Sequence, residues 1–71
     1  MEIEYDKETD ALYIELKKGT FAKNKVINKD TIIDLDKNGN VLGIELLFVS
    51  KRMSLKSLSE ISLKNMPKIT A

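Results

Sequence analysis

Residues 31–48 read TIIDLDKNGNVLGIELLF, two apolar-rich runs either side of Asn38-Gly39. Alternating hydrophobic residues flanking an Asn-Gly pair are a strong short-range hairpin signal. The first run, Thr31 to Asp36, puts Ile33 and Leu35 on one face and Asp34 and Asp36 on the other. The second, Val41 to Leu47, puts Leu42, Ile44 and Leu46 on one face and Gly43 and Glu45 on the other, because strand side chains swap sides at every residue. A glycine inside a strand marks a bulge or a close backbone approach, so Gly43 is expected to meet the tail or a second subunit.

Working outward, Glu2-Ile3-Glu4-Tyr5 has the same alternation, with Met1, Ile3 and Tyr5 sharing a face. Asp6 to Asp10 is a polar loop in which Asp6 can accept hydrogen bonds from amides two residues on. Ala11 to Lys17 is a second strand, with Leu12, Ile14 and Leu16 inward and Ala11, Tyr13 and Glu15 on the reverse. Gly19 breaks the pattern. A third strand is expected over Lys23 to Asn28, with Val26 as its core residue, followed by a turn at Asn28-Lys29-Asp30. After Phe48 the chain turns serine-rich and basic. Leu55, Leu58 and Ile61 repeat every third residue, and Ser50, Ser54 or Ser57 can cap a short helix within residues 54–61. The expected fold is α+β: a small antiparallel β-meander of about five strands with a short C-terminal helix. Residues 1–50 form its core, and residues 51–71 form a helical or extended tail packed on the sheet.

The chain has 71 residues, no cysteine and no histidine. Disulfides and zinc sites built from Cys and His are thereby excluded. A domain this small buries only about 60% of its unfolded surface, so self-association is the remaining route to stability, and a homodimer is expected. Net charge is +1, but charge runs in blocks. Residues 1–16 hold six acids and one Lys, and residues 17–29 hold five Lys and no acid. Residues 30–45 hold four acids and one Lys, and residues 46–71 five basic residues and one Glu. In a meander such blocks would attract across neighbouring strands. Residues 2–10 lack the apolar character of a secretory signal, and no run approaches the roughly 20 residues of a membrane span. A cytoplasmic protein with no membrane association is expected.

Four chemistries are weighed. Asp34, Asp36, Asn38 and Glu45 fall at positions 1, 3, 5 and 12 of a calcium loop, with Gly39 at position 6. Such a loop sits between helices, whereas these flanks are strands, so the match is read as a false positive and no metal or cofactor is expected. Catalysis would fall to Asp6, Asp10, Asp34, Asp36 or Glu45, which need desolvation or a like-charged neighbour to retune them. Turns and exposed faces do not supply that, and an enzyme is not expected. Nucleic-acid binding would require Lys17, Lys18, Lys23, Lys25, Lys29, Lys51, Arg52 and Lys56 on one face, with aromatics interleaved. The near-neutral balance disfavours it, and it stands as the runner-up. The favoured function is a non-catalytic protein-interaction module that self-associates, with Tyr13, Phe21, Gly43 and Phe48 as interface candidates.

Residues 5–16, YDKETDALYIEL, and 34–47, DLDKNGNVLGIELL, followed by Ser50-Lys51, resemble the domain-of-unknown-function family 2283. The resemblance covers residue 3 to about residue 52. Leu35 stands where the family often has an aromatic, and Phe48-Val49-Ser50 where it often ends in Ala-Ser. The resemblance implies a small α+β domain. Some members look like partners of small toxin-like proteins, which implies an antitoxin-like or regulatory alternative. It carries over no catalytic residue.

Overall fold

The computed structural model describes residues 1–69. Five strands form one antiparallel sheet: β1 (Glu2–Asp6), β2 (Ala11–Glu15), β3 (Lys23–Asn28), β4 (Thr31–Leu35) and β5 (Val41–Leu46). A 3₁₀ turn, Val49–Lys51, and one helical turn, α1 (Leu55–Leu58), follow. The α+β class is as expected. The strand order is β1-β2-β5-β4-β3, so the meander holds for β3, β4 and β5, while the β1–β2 hairpin attaches to the far side of β5.

The local chemistry explains this order. β5 is the most apolar strand and takes the centre. β3 (KNKVIN) carries two lysines and suits an edge, where charged side chains discourage further pairing. Residues 16–22 therefore cross the ends of β5 and β4, roughly 14 Å at strand spacing. Gly19 lies against the Leu42 side chain on the way, and the Ala22 amide then bonds the Leu35 carbonyl at 2.8 Å.

The turns follow their side chains. Asp6 Oδ1 accepts from the Glu8 amide at 2.9 Å and the Thr9 amide at 3.4 Å. Asn28 Oδ1 accepts from the Asp30 amide at 2.8 Å. The β4–β5 connection differs from a two-residue Asn-Gly turn. Asp36 and Asn40 pair by backbone at 3.0 Å, leaving Lys37, Asn38 and Gly39 as the loop, and Gly39 has φ 84° while Asn38 has no positive φ. This is the three-residue hairpin in which glycine supplies the left-handed position. Ser54 caps α1, accepting from the Ser57 amide at 3.2 Å.

Register assigns the faces. Across the first face runs a row Ile3, Ile14, Ile44, Ile33 and Lys25, with Tyr5, Leu12, Leu46 and Thr31 alongside. Across the second run Glu4, Tyr13, Glu45, Ile32 and Val26, and then Glu2, Glu15, Gly43, Asp34 and Asn24. Acids thus collect on the second face, while Lys25 lies on the first. The expected attraction between charge blocks does not develop, because β3 touches only β4 and sets Asn24, not a lysine, opposite Asp34. Among the described residues the one ion pair is local, Lys18 to Glu15 at 3.3 Å.

The core is thin. Leu12, Leu42 and Val49 are the buried hydrophobic residues among those described. Val26, expected inside, is 67% exposed, because β3 lies at an edge with nothing over it. Leu42, expected alongside Ile44, departs from the alternation. A bulge sets Leu35 opposite Val41, and Leu42 lines the same cleft as Tyr13 and Asp34. In the tail, Met53 and Leu58 are half-buried, and every described residue after Leu58 is exposed. No helix among the described residues is long and apolar enough to cross a membrane.

Candidate functional site

Three places bring functional side chains together. The first is the middle of the acidic face. Tyr13 on β2 lies directly opposite Glu45 on β5, and Asp34 on β4 lies opposite Gly43. A side chain at position 43 would keep the Tyr13 ring from lying across β5. A Cβ built on Gly43 would meet the Tyr13 hydroxyl, with Tyr13 Cζ at 2.6 Å and the Ile14 carbonyl oxygen at 2.8 Å. Gly43 is therefore buried beneath its own chain's tyrosine. The close approach expected there comes from Tyr13 and the β2 backbone, which removes Gly43 from the interface candidates.

The electrostatics of this cluster follow from crowding. Burial, then the neighbouring Asp34 carboxylate, push the Glu45 carboxyl above its ordinary value. Burial and the same carboxylate push the Tyr13 phenol up. Asp34 Oδ1 is buried and has no hydrogen-bond partner among the described residues. Burial with a like-charged neighbour is the condition a retuned carboxylate needs, so Glu45 departs from its assignment to a plain exposed face. Its partner became visible only once β4 and β5 were set in register. Tyr13 and Asp34 stand between two open clefts. One, of about 260 Å³, is walled by Glu4, Asp6 and Glu45. The other, of about 270 Å³, is walled by Glu15, Lys18 and Phe21.

The calcium pattern is dispersed. Asp36 Oδ1 accepts from the amides of Asn38 (2.9 Å) and Asn40 (2.8 Å), and Oδ2 from the Asn40 side chain (3.0 Å). These bonds hold the Asp36 carboxyl below the usual range. Asp34 and Glu45 lie back along the strands, beside one another on the acidic face. Among the described residues no three Asp, Glu, His or Cys are placed to hold a metal ion.

The second place is a junction centred on Asp10. Its Oδ1 accepts from the Tyr5 hydroxyl at 2.7 Å and the Ser50 amide at 3.0 Å, and its Oδ2 from the Ser50 hydroxyl at 2.7 Å. The Asp10 carbonyl also accepts from the Val49 amide at 3.0 Å. The bond from Tyr5, then those from Ser50, hold this carboxyl below its ordinary value. Asp10 adopts φ 55°, a region aspartate tolerates better than most residues. From the sequence Asp10 is the end of a polar loop and a carboxylate with no visible partner. A bond across 40 residues leaves no local signal.

The third place adjoins it. Phe48, directly before the Val49–Ser50 segment that Asp10 holds, lies in the left-handed region at φ 54° and ψ 43°. Phe48 as a whole is 48% exposed. It borders a cleft of about 440 Å³ together with Lys29, Asp30, Lys51 and Arg52. The Lys51 ammonium lies 5.8 Å from the ring centroid, and an Arg52 guanidinium nitrogen donates to the Asp30 carbonyl at 3.3 Å. Of the other interface candidates, Phe21 is 54% exposed on the crossover, and Tyr13 is half-buried. The cations divide: Lys17 and Lys18 lie at the opposite end of the sheet from Lys29, Lys51 and Arg52.

Comparison with known proteins adds the following. The profile of a family described as a protein of unknown function, DUF2283, matches residues 2–50. An uncharacterised protein of Methanocaldococcus jannaschii is 38% identical over 71 residues, covering all of this chain. The chain spans 59% of that relative's length. No solved structure matches.

Proposed function

The chain belongs to the DUF2283 family of unknown function, and from that premise we propose that it is a non-catalytic interaction module whose first partner is a second copy of itself. The observation that carries this is the open isoleucine row of the first face. Ile14, Ile33 and Ile44 are only half-buried, and Ile3 is 38% exposed. A sheet face of this composition gains stability when it is removed from water.

The accessible surface is 5877 Å², against about 4,500 Å² for a compact monomer of this mass. The exposed Ile61, Leu63, Met66 and Ile69 of the tail add to that surface, as does Ile3 on the first face. A standard interface takes roughly 800 Å² from each partner. The molecule measures 34 × 33 × 19 Å, a slab one sheet thick. Two such slabs packed face to face would form a sandwich with its inner side chains interdigitated. The first face carries isoleucines at its middle and lysine at the β3 edge, so an apolar centre with a charged rim is already laid out.

On the acidic face the raised carboxyl of Glu45 favours its neutral form, which lowers its repulsion with Asp34. The test is Ile33→Lys, with mass by light scattering after gel filtration and circular dichroism as the fold control. A charge in the middle of the row is expected to yield a folded monomer. An unchanged dimer would place the interface elsewhere, and a monomer before substitution would remove self-association altogether.

A further inference from the structure

We propose that the corner formed by Phe48, Lys51, Arg52 and Lys29 binds single-stranded nucleic acid, with one base stacked on the Phe48 ring and the flanking phosphates held by the three cations. A bulky residue in the left-handed region is an outlier, and such conformations persist only where the surroundings impose them. Here the Asp10 junction holds Val49 and Ser50, the two residues that follow Phe48. Asparagine or glycine would occupy that position with less strain. Phenylalanine is strained there and also half in water, so neither backbone nor burial accounts for the aromatic ring.

Its setting supplies an account. The ring forms one wall of a cleft of about 440 Å³ that it shares with Lys29, Lys51 and Arg52, against the single acid Asp30. An exposed aromatic plane beside several cations is the arrangement that binds single strands with little sequence preference. Lys51, now 5.8 Å from the ring centroid, is free to exchange that contact for a phosphate as a base takes the ring face. Guanidinium and ammonium groups on either side reach successive phosphates. Of the eight cations that nucleic-acid binding would require on one face, three gather here, beside one aromatic. Lys17 and Lys18, at the far end of the sheet, take no part. This inference does not depend on the isoleucine face, and either can fail alone.

The experiment is fluorescence anisotropy of the full chain with a labelled thymidylate of about ten nucleotides, at several salt concentrations. Neutralising three phosphates predicts a log–log salt slope near −2, hence an affinity about 20-fold weaker at 200 mM than at 50 mM salt. Phe48→Asn should weaken binding roughly tenfold through lost stacking, while the melting temperature stays level or rises as backbone strain is relieved. Lys29→Glu and Lys51→Glu should each weaken binding and flatten the slope. Lys17→Glu with Lys18→Glu should leave both unchanged. Absence of binding at low salt overturns the proposal. So does retention of affinity by Phe48→Asn, a marked drop in its melting temperature, or equal loss on substituting Lys17 and Lys18. Comparable affinity for a polyglutamate peptide, insensitive to Phe48, would mark the corner as a protein-binding or general polyanion site and overturn it too.

Discussion

Gly43→Ala makes a sharp test of the packing on the acidic face. In an open strand, replacing glycine by alanine stabilises by roughly 0.5–1 kcal/mol, because the unfolded chain loses less freedom on folding. The sign should reverse here. The new methyl would lie 2.6 Å from Tyr13 Cζ and 2.8 Å from the Ile14 carbonyl oxygen. The tyrosine can swing aside, but Ile14 belongs to β2 and pairs with Ile44 on β5, so its backbone cannot retreat without loosening the ladder. Overpacking of this kind costs about 1–3 kcal/mol, and with both neighbours under 3 Å the upper half of that range applies, leaving a net loss of about 1–2 kcal/mol. For a domain this size that lowers the melting temperature by roughly 5–15 °C, at fixed protein concentration. Thermal unfolding followed by circular dichroism measures it directly. Repeating the substitution in a Tyr13→Ala background separates the two contacts. Part of the penalty should vanish with the ring, and the remainder, from the Ile14 carbonyl, should persist. A neutral or stabilising Gly43→Ala, or an undiminished penalty without the ring, would refute this account of the cluster.

Further outcomes concern charge. The folded-state value of Glu45 is raised, so its protonation as pH falls from neutral should add stability, and Glu45→Gln should be more stable than the parent at pH 7 and lack that rise. Asp10 and Asp36 are shifted the other way. Their contribution is complete above the ordinary carboxylate value near 3.8 and is lost as pH falls through their lower folded values. Urea midpoints across pH should therefore rise into mild acid and fall below about pH 4. Asp10→Asn should shrink the fall and loosen the Val49–Lys51 turn, read as faster amide exchange at Val49 and Ser50. Unchanged exchange there would contradict the role given to the Asp10 junction.

What the residues declare locally is legible in the sequence. Alternation places β1, β2, β4 and β5, Asp6 and Asn28 announce their turns, and Ser54, the cap of α1, is one of three serines that could have served. The strand order is not legible, because alternation gives each strand a face but not a neighbour. β2 chooses β5 over β3 through a competition among whole-sheet arrangements, in which a lysine-rich strand does best at an edge. Val26 was misplaced for that reason. The site clusters depend on register across that order. Asp34 and Glu45 are eleven positions apart in the chain, and nothing short of the β4–β5 pairing shows that they crowd one another. Gly43 was recognisable as a point of close approach. What approaches it depends on where Tyr13 falls on the neighbouring strand. The Asp10–Ser50 link joins the β1–β2 turn to the end of the matched family region, next to the strained Phe48.

The claim that the isoleucine face is covered by a second copy is tested most directly by sedimentation equilibrium of the full chain at several micromolar concentrations. The account predicts a single species of twice the chain mass that dissociates only on dilution. A monodisperse, folded monomer across the same range would contradict it.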